Sequence, residues 1–219
     1  MEDINIAIDG PSASGKSTIA KELCHRLNYR HLDTGAMYRC VALDVKRTGI
    51  NSEDEEELAR EMNEIQIDFT PDEKVLLYGE DVSKLIRTDE ISMLASTVSA
   101  YAVVRKKLVE LQQKIAENKG YVMDGRDIGT VVLPDAEVKI FMTASVECRA
   151  RRRYEENARR GLESNMRTLK KEIIERDYQD THRKNSPLRK ADDAVEIDTS
   201  NMSIIEVTDA IMEIIASRE

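Results

Sequence analysis

With 219 residues, 41% of them hydrophobic, the chain can build one α/β domain with a small insertion but not two ordinary domains. Aromatic residues make up only 4% and Trp is absent, which disfavours a stacking platform for single strands, and a net charge of −9 disfavours any nucleic-acid polymer as partner. No apolar run reaches the ~18 residues of a membrane span, the acidic start Met1-Glu2-Asp3 is the opposite of a signal peptide, and Cys24, Cys40 and Cys148 lack ligand spacing, so a cytoplasmic protein with reduced thiols and no membrane contact is expected.

In chain order, Ile4–Asp9 reads as a short apolar strand entering a glycine-containing turn, with a helix over Lys16–Leu27 behind it. Arg30–Asp33 reads as a second strand, followed by a helix from about Met37 to Arg47. An acidic helix is expected over about Glu53–Asn63, with Ser52 as its cap. Ile65–Phe69 and Lys74–Tyr78, joined through Thr70-Pro71-Asp72 and followed by Gly79-Glu80-Asp81, read as a small antiparallel unit interrupting the βα rhythm. The pattern is helical from about Thr88 to Asn118, where Lys119-Gly120 stops it. Tyr121–Asp124, Val138–Met142 and Ala194–Asp198 supply three more strands, with two long helical segments between the last two. The final helix opens on a capping box, Ser203-Ile-Ile-Glu206, and carries an apolar stripe of Ile204, Val207, Ile211 and Ile214. Short apolar strands alternating with helices predict a five-stranded parallel sheet with helices on both faces.

The strongest chemical signal is Gly10-Pro11-Ser12-Ala13-Ser14-Gly15-Lys16-Ser17, followed by Thr18. It fits G-x-x-x-x-G-K-[ST] with a strand before it and a helix after it. In such a loop, main-chain N–H groups converge on phosphate oxygens and the following helix adds its positive end. Lys16 is expected on the β- and γ-phosphates of ATP, and the Ser17 hydroxyl on the Mg²⁺ that accompanies it. His25, His31 and His182 do not cluster, so no metal held by protein ligands alone is expected. A GTP switch would carry D-x-x-G and N-K-x-D; the first is absent, and Asn118-Lys119 is followed by Gly-Tyr.

Charge is unevenly spread. Residues 51–81 hold 12 acids and 2 bases, whereas 149–190 hold 14 bases and 7 acids. An acidic protein that gathers Arg149, Arg151, Arg152, Arg153, Arg159 and Arg160, then Arg176 and Arg183, has a local anion to bind. Two glycine-containing turns at predicted strand ends, Asp33-Thr34-Gly35 with Arg39 and Asp124-Gly125-Arg126-Asp127, stand where ligands of open α/β sheets bind. Together with the phosphate loop they point to a kinase that brings two phosphorylated molecules together.

The blocks GPSASGKST, LDTGAMYR, IRTDEIS with ASTVSAYAVVR, MDGRDIGTVVLPDA, RRRYEENARRG, ERDYQDTHR and SPLRKADDA resemble those of bacterial cytidylate kinases, within the nucleoside monophosphate kinase family of P-loop proteins. The resemblance runs from Ile4 to about Thr208. It implies a core over residues 1–62 and 85–219, a monophosphate-binding insertion over 63–84, and an arginine-rich lid over about 149–163. It places Thr34, Arg39, Arg87 and Arg126 at or near the acceptor phosphate, although the family often has Ser where this chain has Thr34. Ser96, Arg105, Asp127 and Arg183 fall to cytosine, Arg176 and Asp180 to ribose, and Arg149, Arg152 and Arg153 to the transferring phosphoryl group. ATP, CMP and dCMP are the implied partners, and a monomer the implied state. UMP, AMP, dephospho-coenzyme A or shikimate as acceptor keeps every phosphate-loop argument, as does a non-catalytic nucleotide-binding module.

Overall fold

A computed structural model describes residues 3–70 and 72–218; Met1, Glu2, the Pro71 of the expected turn, and Glu219 lie outside the described residues. In chain order come β1 (Asn5–Asp9), α1 (Lys16–Leu27), β2 (Arg30–Asp33), α2 (Thr34–Thr48) and α3 (Glu55–Glu64). Three short strands follow, β3 (Ile67–Phe69), β4 (Val75–Leu77) and β5 (Glu80–Asp81), and then α4 (Asp89–Val98) and α5 (Ala102–Ala116). The chain continues through β6 (Tyr121–Gly125), β7 (Val138–Thr143), α6 (Val146–Arg159), α7 (Met166–His182), β8 (Val195–Asp198) and α8 (Ile204–Ala216). These form two units, Met1–Leu32 with Asn118–Glu219, and Asp33–Glu117.

The five-stranded parallel sheet has the order β2-β6-β1-β7-β8. Its centre is β1, parallel to β6 and β7, with every residue buried. A parallel strand covered on both faces needs a continuous apolar run, which Ile6-Ala7-Ile8 supplies. Ile19, Leu23 and Cys24 of α1 and Val207, Ile211 and Ile215 of α8 pack with Ile6, Ile8, Val138, Ile140 and Met142 in one cluster. Each such isoleucine contributes about 2 kcal/mol by leaving water. The capping box at Ser203 and Glu206 is formed as expected. The expected stripe on α8 fails only at Ile204, which is 51% exposed: Val207 and Ile211 are buried, Ile214 packs against the same cluster, and Ile215, four residues on from Ile211, joins them.

The register of β1 puts Asp9 opposite Gly125 and Phe141, so the phosphate loop and the Asp124–Asp127 turn leave the sheet at the same carboxyl edge. The turn into the loop needs glycine. Gly10 has φ +150°, and a Cβ there would lie 2.1 Å from the Met142 carbonyl oxygen on β7. Gly10→Ala is therefore expected to cost about 3 kcal/mol and to lower Tm by roughly 10 °C in thermal unfolding.

In the second unit, α2 begins at Thr34, three residues earlier than expected, because the Asp33 carboxylate accepts from the Ala36 N–H at 3.0 Å. In the same way α3 starts after Asp54, which accepts from the N–H groups of Glu56 and Glu57; Ser52 is not its cap. The long helix expected over Thr88–Asn118 is two helices. Tyr101 is extended, which interrupts the helical backbone, and the Arg105 guanidinium donates to the Ser99 carbonyl at the junction at 3.2 Å. The antiparallel unit is present and gains a third strand, in the order β3-β4-β5. The Tyr78 hydroxyl, just beyond β4, is the donor shared between Asp44 (3.1 Å) and Glu61 (3.2 Å).

Burial and the neighbouring Glu61 push the Asp44 carboxyl up to about 6, against the pull of Tyr78 and Arg47. A carboxyl whose folded pKa lies above its unfolded value of 3.8 adds stability at low pH that is lost as pH rises through 6. Asp44→Asn removes that loss. At pH 7.5 the variant is expected to be about 1–2 kcal/mol more stable than the parent, with the gain vanishing near pH 4 in parallel denaturant titrations.

Candidate active site

The phosphate loop holds its shape through unusual backbone and outside braces. Ala13 and Gly15 have φ of +57° and +98°, and Gly15 precedes α1 without any side-chain cap. The first N–H groups of α1 thus keep their donors for an anion. From outside the loop, Arg152 donates to the Ser14 carbonyl at 2.8 Å, and the Thr199 hydroxyl does so at 3.1 Å. Arg149, buried in α6, pairs with Asp177 of α7 through both nitrogens (2.9 and 2.6 Å) and also donates to the carbonyls of Ser12 and Ala144. Arg153 stands more open, 3.6 Å from Glu156. Of the three predicted lid arginines, two are anchored to the loop's main chain in this conformation.

Lys16 lies inside the loop, donating to the Pro11 carbonyl at 2.7 Å and to the Ser14 hydroxyl at 3.3 Å. Burial, reinforced by the nearby Arg126 charge, pulls its pKa down to about 7, although Asp124 and Asp9 oppose the shift. A triphosphate entering the loop would supply the negative charge that restores the ammonium. Beside it, the Ser17 hydroxyl donates to Asp124 at 2.8 Å, and the other Asp124 oxygen meets His31 Nε2 at 2.6 Å. Ser17 and Asp124 are hard oxygen donors of the kind Mg²⁺ takes, one hydroxyl and one carboxylate, with room in its shell left for phosphate and water. Among the described residues no three His, Cys, Asp or Glu side chains gather as a metal site of their own.

The turn after β6 is held from below by Asp9. Its carboxylate accepts from the Ile128 and Gly129 N–H groups, both at 2.8 Å. The turn continues as a single π-helical turn over Ile128–Val132. Burial pushes Asp9 up to about 6 despite those two donors.

On this turn Arg126 donates to Asp180 of α7 at 2.7 Å. Arg183 lies 3.7 Å from Asp127 and 4.0 Å from Asp180, and its Nε donates to the Ser186 carbonyl. Burial would raise the Asp180 carboxyl, but Arg126, Arg176 and Arg183 outweigh it and hold the group below its ordinary range. Asp127, Asp180 and Arg183 are all nearly closed to solvent. Five of the predicted acceptor residues, Arg126, Asp127, Arg176, Asp180 and Arg183, therefore belong to one ionic network. That network presents two carboxylates and several guanidinium groups at fixed positions.

The remaining predicted acceptor residues lie in the second unit. Thr34 is the buried first residue of α2, and Arg39 pairs with Asp33 at 2.8 Å. The buried Arg105 guanidinium covers the Tyr38 ring at 5.3 Å. Ser96 lies on α4, and Arg87 is exposed at the end of a single 3₁₀ turn, Leu85–Arg87.

Asp9, His31, Asp177 and Thr199 were not singled out by the sequence reading. A signal existed for Asp9 and Asp124: each ends an apolar parallel strand, where an acid must serve some partner. None existed for His31, on an edge strand whose burial alternates weakly.

The sequence profile described as cytidylate kinase matches residues 6–217. The cytidylate kinase of Ligilactobacillus salivarius (strain UCC118) is 49% identical over 221 residues, covering 100% of this chain and 99% of the relative. That of Bacillus cereus (strain ATCC 10987 / NRS 248) is 50% identical over 216 residues, covering 97% and 96%. Among solved structures, a gluconokinase from Sinorhizobium meliloti 1021 superposes with a TM-score of 0.51 at 14% identity, covering 99% of this chain and 93% of its own. A shikimate kinase from Bacteroides thetaiotaomicron gives 0.50 at 13%, covering 97% and 98%. These two show the P-loop kinase fold alone, whereas the profile and the full-length relatives go further: the chain belongs to the cytidylate kinase family.

Proposed function

We propose that the protein transfers the γ-phosphoryl group of ATP in line to the phosphate of CMP or dCMP, releasing ADP with CDP or dCDP. The observation that carries this reading is a phosphate loop with Lys16 inside it, beside an Arg126–Asp127–Asp180–Arg183 network whose two carboxylates are buried. The loop residues Gly10 to Thr18 take the ATP phosphates. Ser17 and Asp124 would hold the Mg²⁺ that accompanies the nucleotide, which would supply charge neutralisation.

The acceptor phosphate falls to Thr34, Arg39, Arg87 and Arg126, ribose to Arg176 and Asp180, and the base to Ser96, Arg105, Asp127 and Arg183. Because the acceptor phosphate is already an anion, no general base is required. Catalysis then rests on positioning and on neutralising charge by Lys16 and the guanidinium groups of Arg126, Arg149, Arg152 and Arg153. Arg149 and Arg152, anchored to the loop carbonyls, would set the loop's shape as well as face the phosphoryl group. Residues 63–84 serve as the monophosphate-binding insertion and 149–163 as a lid, in a monomer acting in the cytoplasm. No helix among the described residues is long and apolar enough to cross a membrane.

A coupled assay of ADP release with CMP, dCMP, UMP and AMP in parallel tests the reading. Turnover confined to the cytidine nucleotides is the expected result. Turnover with UMP or AMP alone, or nucleotide binding without turnover, would overturn it.

A further inference from the structure

We infer that His31 is a positioning residue for the divalent-cation site: it holds the Asp124 carboxylate so that its second oxygen accepts the hydrogen bond of the Ser17 hydroxyl. This rests on the reading that Ser17 and Asp124 serve Mg²⁺ bound with ATP. His31 Nε2 lies 2.6 Å from Asp124 Oδ1, and the two side chains are only 4% and 6% exposed. An ionised carboxylate can only accept, so the shared proton is carried by Nε2. The opposite oxygen, Oδ2, accepts from the Ser17 hydroxyl at 2.8 Å.

Two consequences follow for Ser17. A hydroxyl whose proton is directed at Asp124 turns its lone pairs away from that carboxylate, leaving them for a cation. A carboxylate tied at both oxygens also cannot rotate out of that arrangement. His31 comes from β2 and Asp124 from the neighbouring β6, so the constraint crosses strands of the rigid sheet rather than depending on a loop. Outer partners that orient a metal's ligands commonly change metal affinity by about 10–100-fold when removed.

The test uses Mn²⁺ as the probe, titrated by EPR into the full-length protein with saturating ADP, together with the Mg²⁺ dependence of turnover. His31→Leu keeps the side-chain bulk and removes the donor. It is expected to weaken Mn²⁺ binding about tenfold and to raise the half-saturating Mg²⁺ concentration in step, with the KM for CMP unchanged. His31→Gln places an amide N–H near the former Nε2 and should recover most of the Mn²⁺ affinity. Thermal unfolding of both variants separates a local effect from loss of the fold. Parent-like Mn²⁺ affinity in a folded His31→Leu would overturn the inference, as would equal losses in the Leu and Gln variants. A parent protein that takes up no Mn²⁺ with ADP would overturn the divalent-cation reading itself, and this inference with it.

Discussion

Lys16→Met is expected to lower kcat about a thousandfold or more while leaving the fold as stable as the parent, or more so. The two halves of this result have one cause. In this fold Lys16 is buried, its ammonium donates to a carbonyl and a hydroxyl rather than to a carboxylate, and burial pulls its pKa down to about 7. Below pH 7 the protein holds a cation that would be better solvated in the unfolded chain, so the fold is penalised there. The penalty falls away as pH rises from 7 towards 10.5. Methionine removes it, and thermal unfolding at pH 6 should show the larger gain, shrinking by pH 9. What methionine cannot do is meet the charge that builds on the transferring phosphoryl group, where a preorganised cation in a dry site has its largest effect. Parent-like turnover in the variant would remove Lys16 from the mechanism; a collapse of Tm would assign it to structure instead.

That same loop explains why so much of the protein was legible from its sequence. The strand Ile6-Ala7-Ile8, the glycines at 10 and 15, and the lysine before the helix are dictated by local geometry: burial on two faces, a turn no side chain fits, and a helix end that needs an anion. Such constraints act within a dozen residues, so they leave a readable pattern. The helix starts were misplaced where a neighbouring acid competed for the cap: Asp33 ahead of Met37, and Asp54 ahead of Ser52. The break between α4 and α5 was hidden because it lies at one extended residue, Tyr101, with Arg105 donating to the Ser99 carbonyl at the junction, and no periodicity records that. Longer-range partnerships left still less trace. Arg149 with Asp177, Asp9 with the N–H groups of Ile128 and Gly129, and His31 with Asp124 join residues 28 to 120 positions apart. An arginine in a basic run reads alike whether it faces solvent, a phosphate or a carbonyl of the loop. Only the fold separates Arg149, buried against the loop, from Arg151, exposed on the same helix.

Asp127→Asn is expected to compress the preference for CMP over UMP by about a hundredfold or more in kcat/KM, chiefly through loss with CMP. Cytosine presents an amine donor at N4 with acceptors at N3 and O2, whereas uracil presents an oxygen at position 4 and a donor at N3. A carboxylate can only accept, so Asp127 facing the base would suit the amine and repel the oxygen. It is 4% exposed, leaving little water to mask a mismatch, and lies 3.7 Å from Arg183, which helps hold it in place. A neutral amide of the same shape can turn either its oxygen or its NH₂ towards the base, and the asymmetry that separates the two pyrimidines is lost. The substitution also removes a charge 3.7 Å from Arg183, which Asp180 at 4.0 Å only partly replaces, so some stability goes with it. Glutamate at 127 is the control: it keeps the charge beside Arg183 but moves the carboxylate by one methylene. If the base preference follows the kind of donor or acceptor, Asn should weaken discrimination while Glu lowers turnover with both nucleotides. An Asn variant with parent-like discrimination would instead make Asp127 a counter-ion for Arg183, and base choice would pass to Ser96 and Arg105.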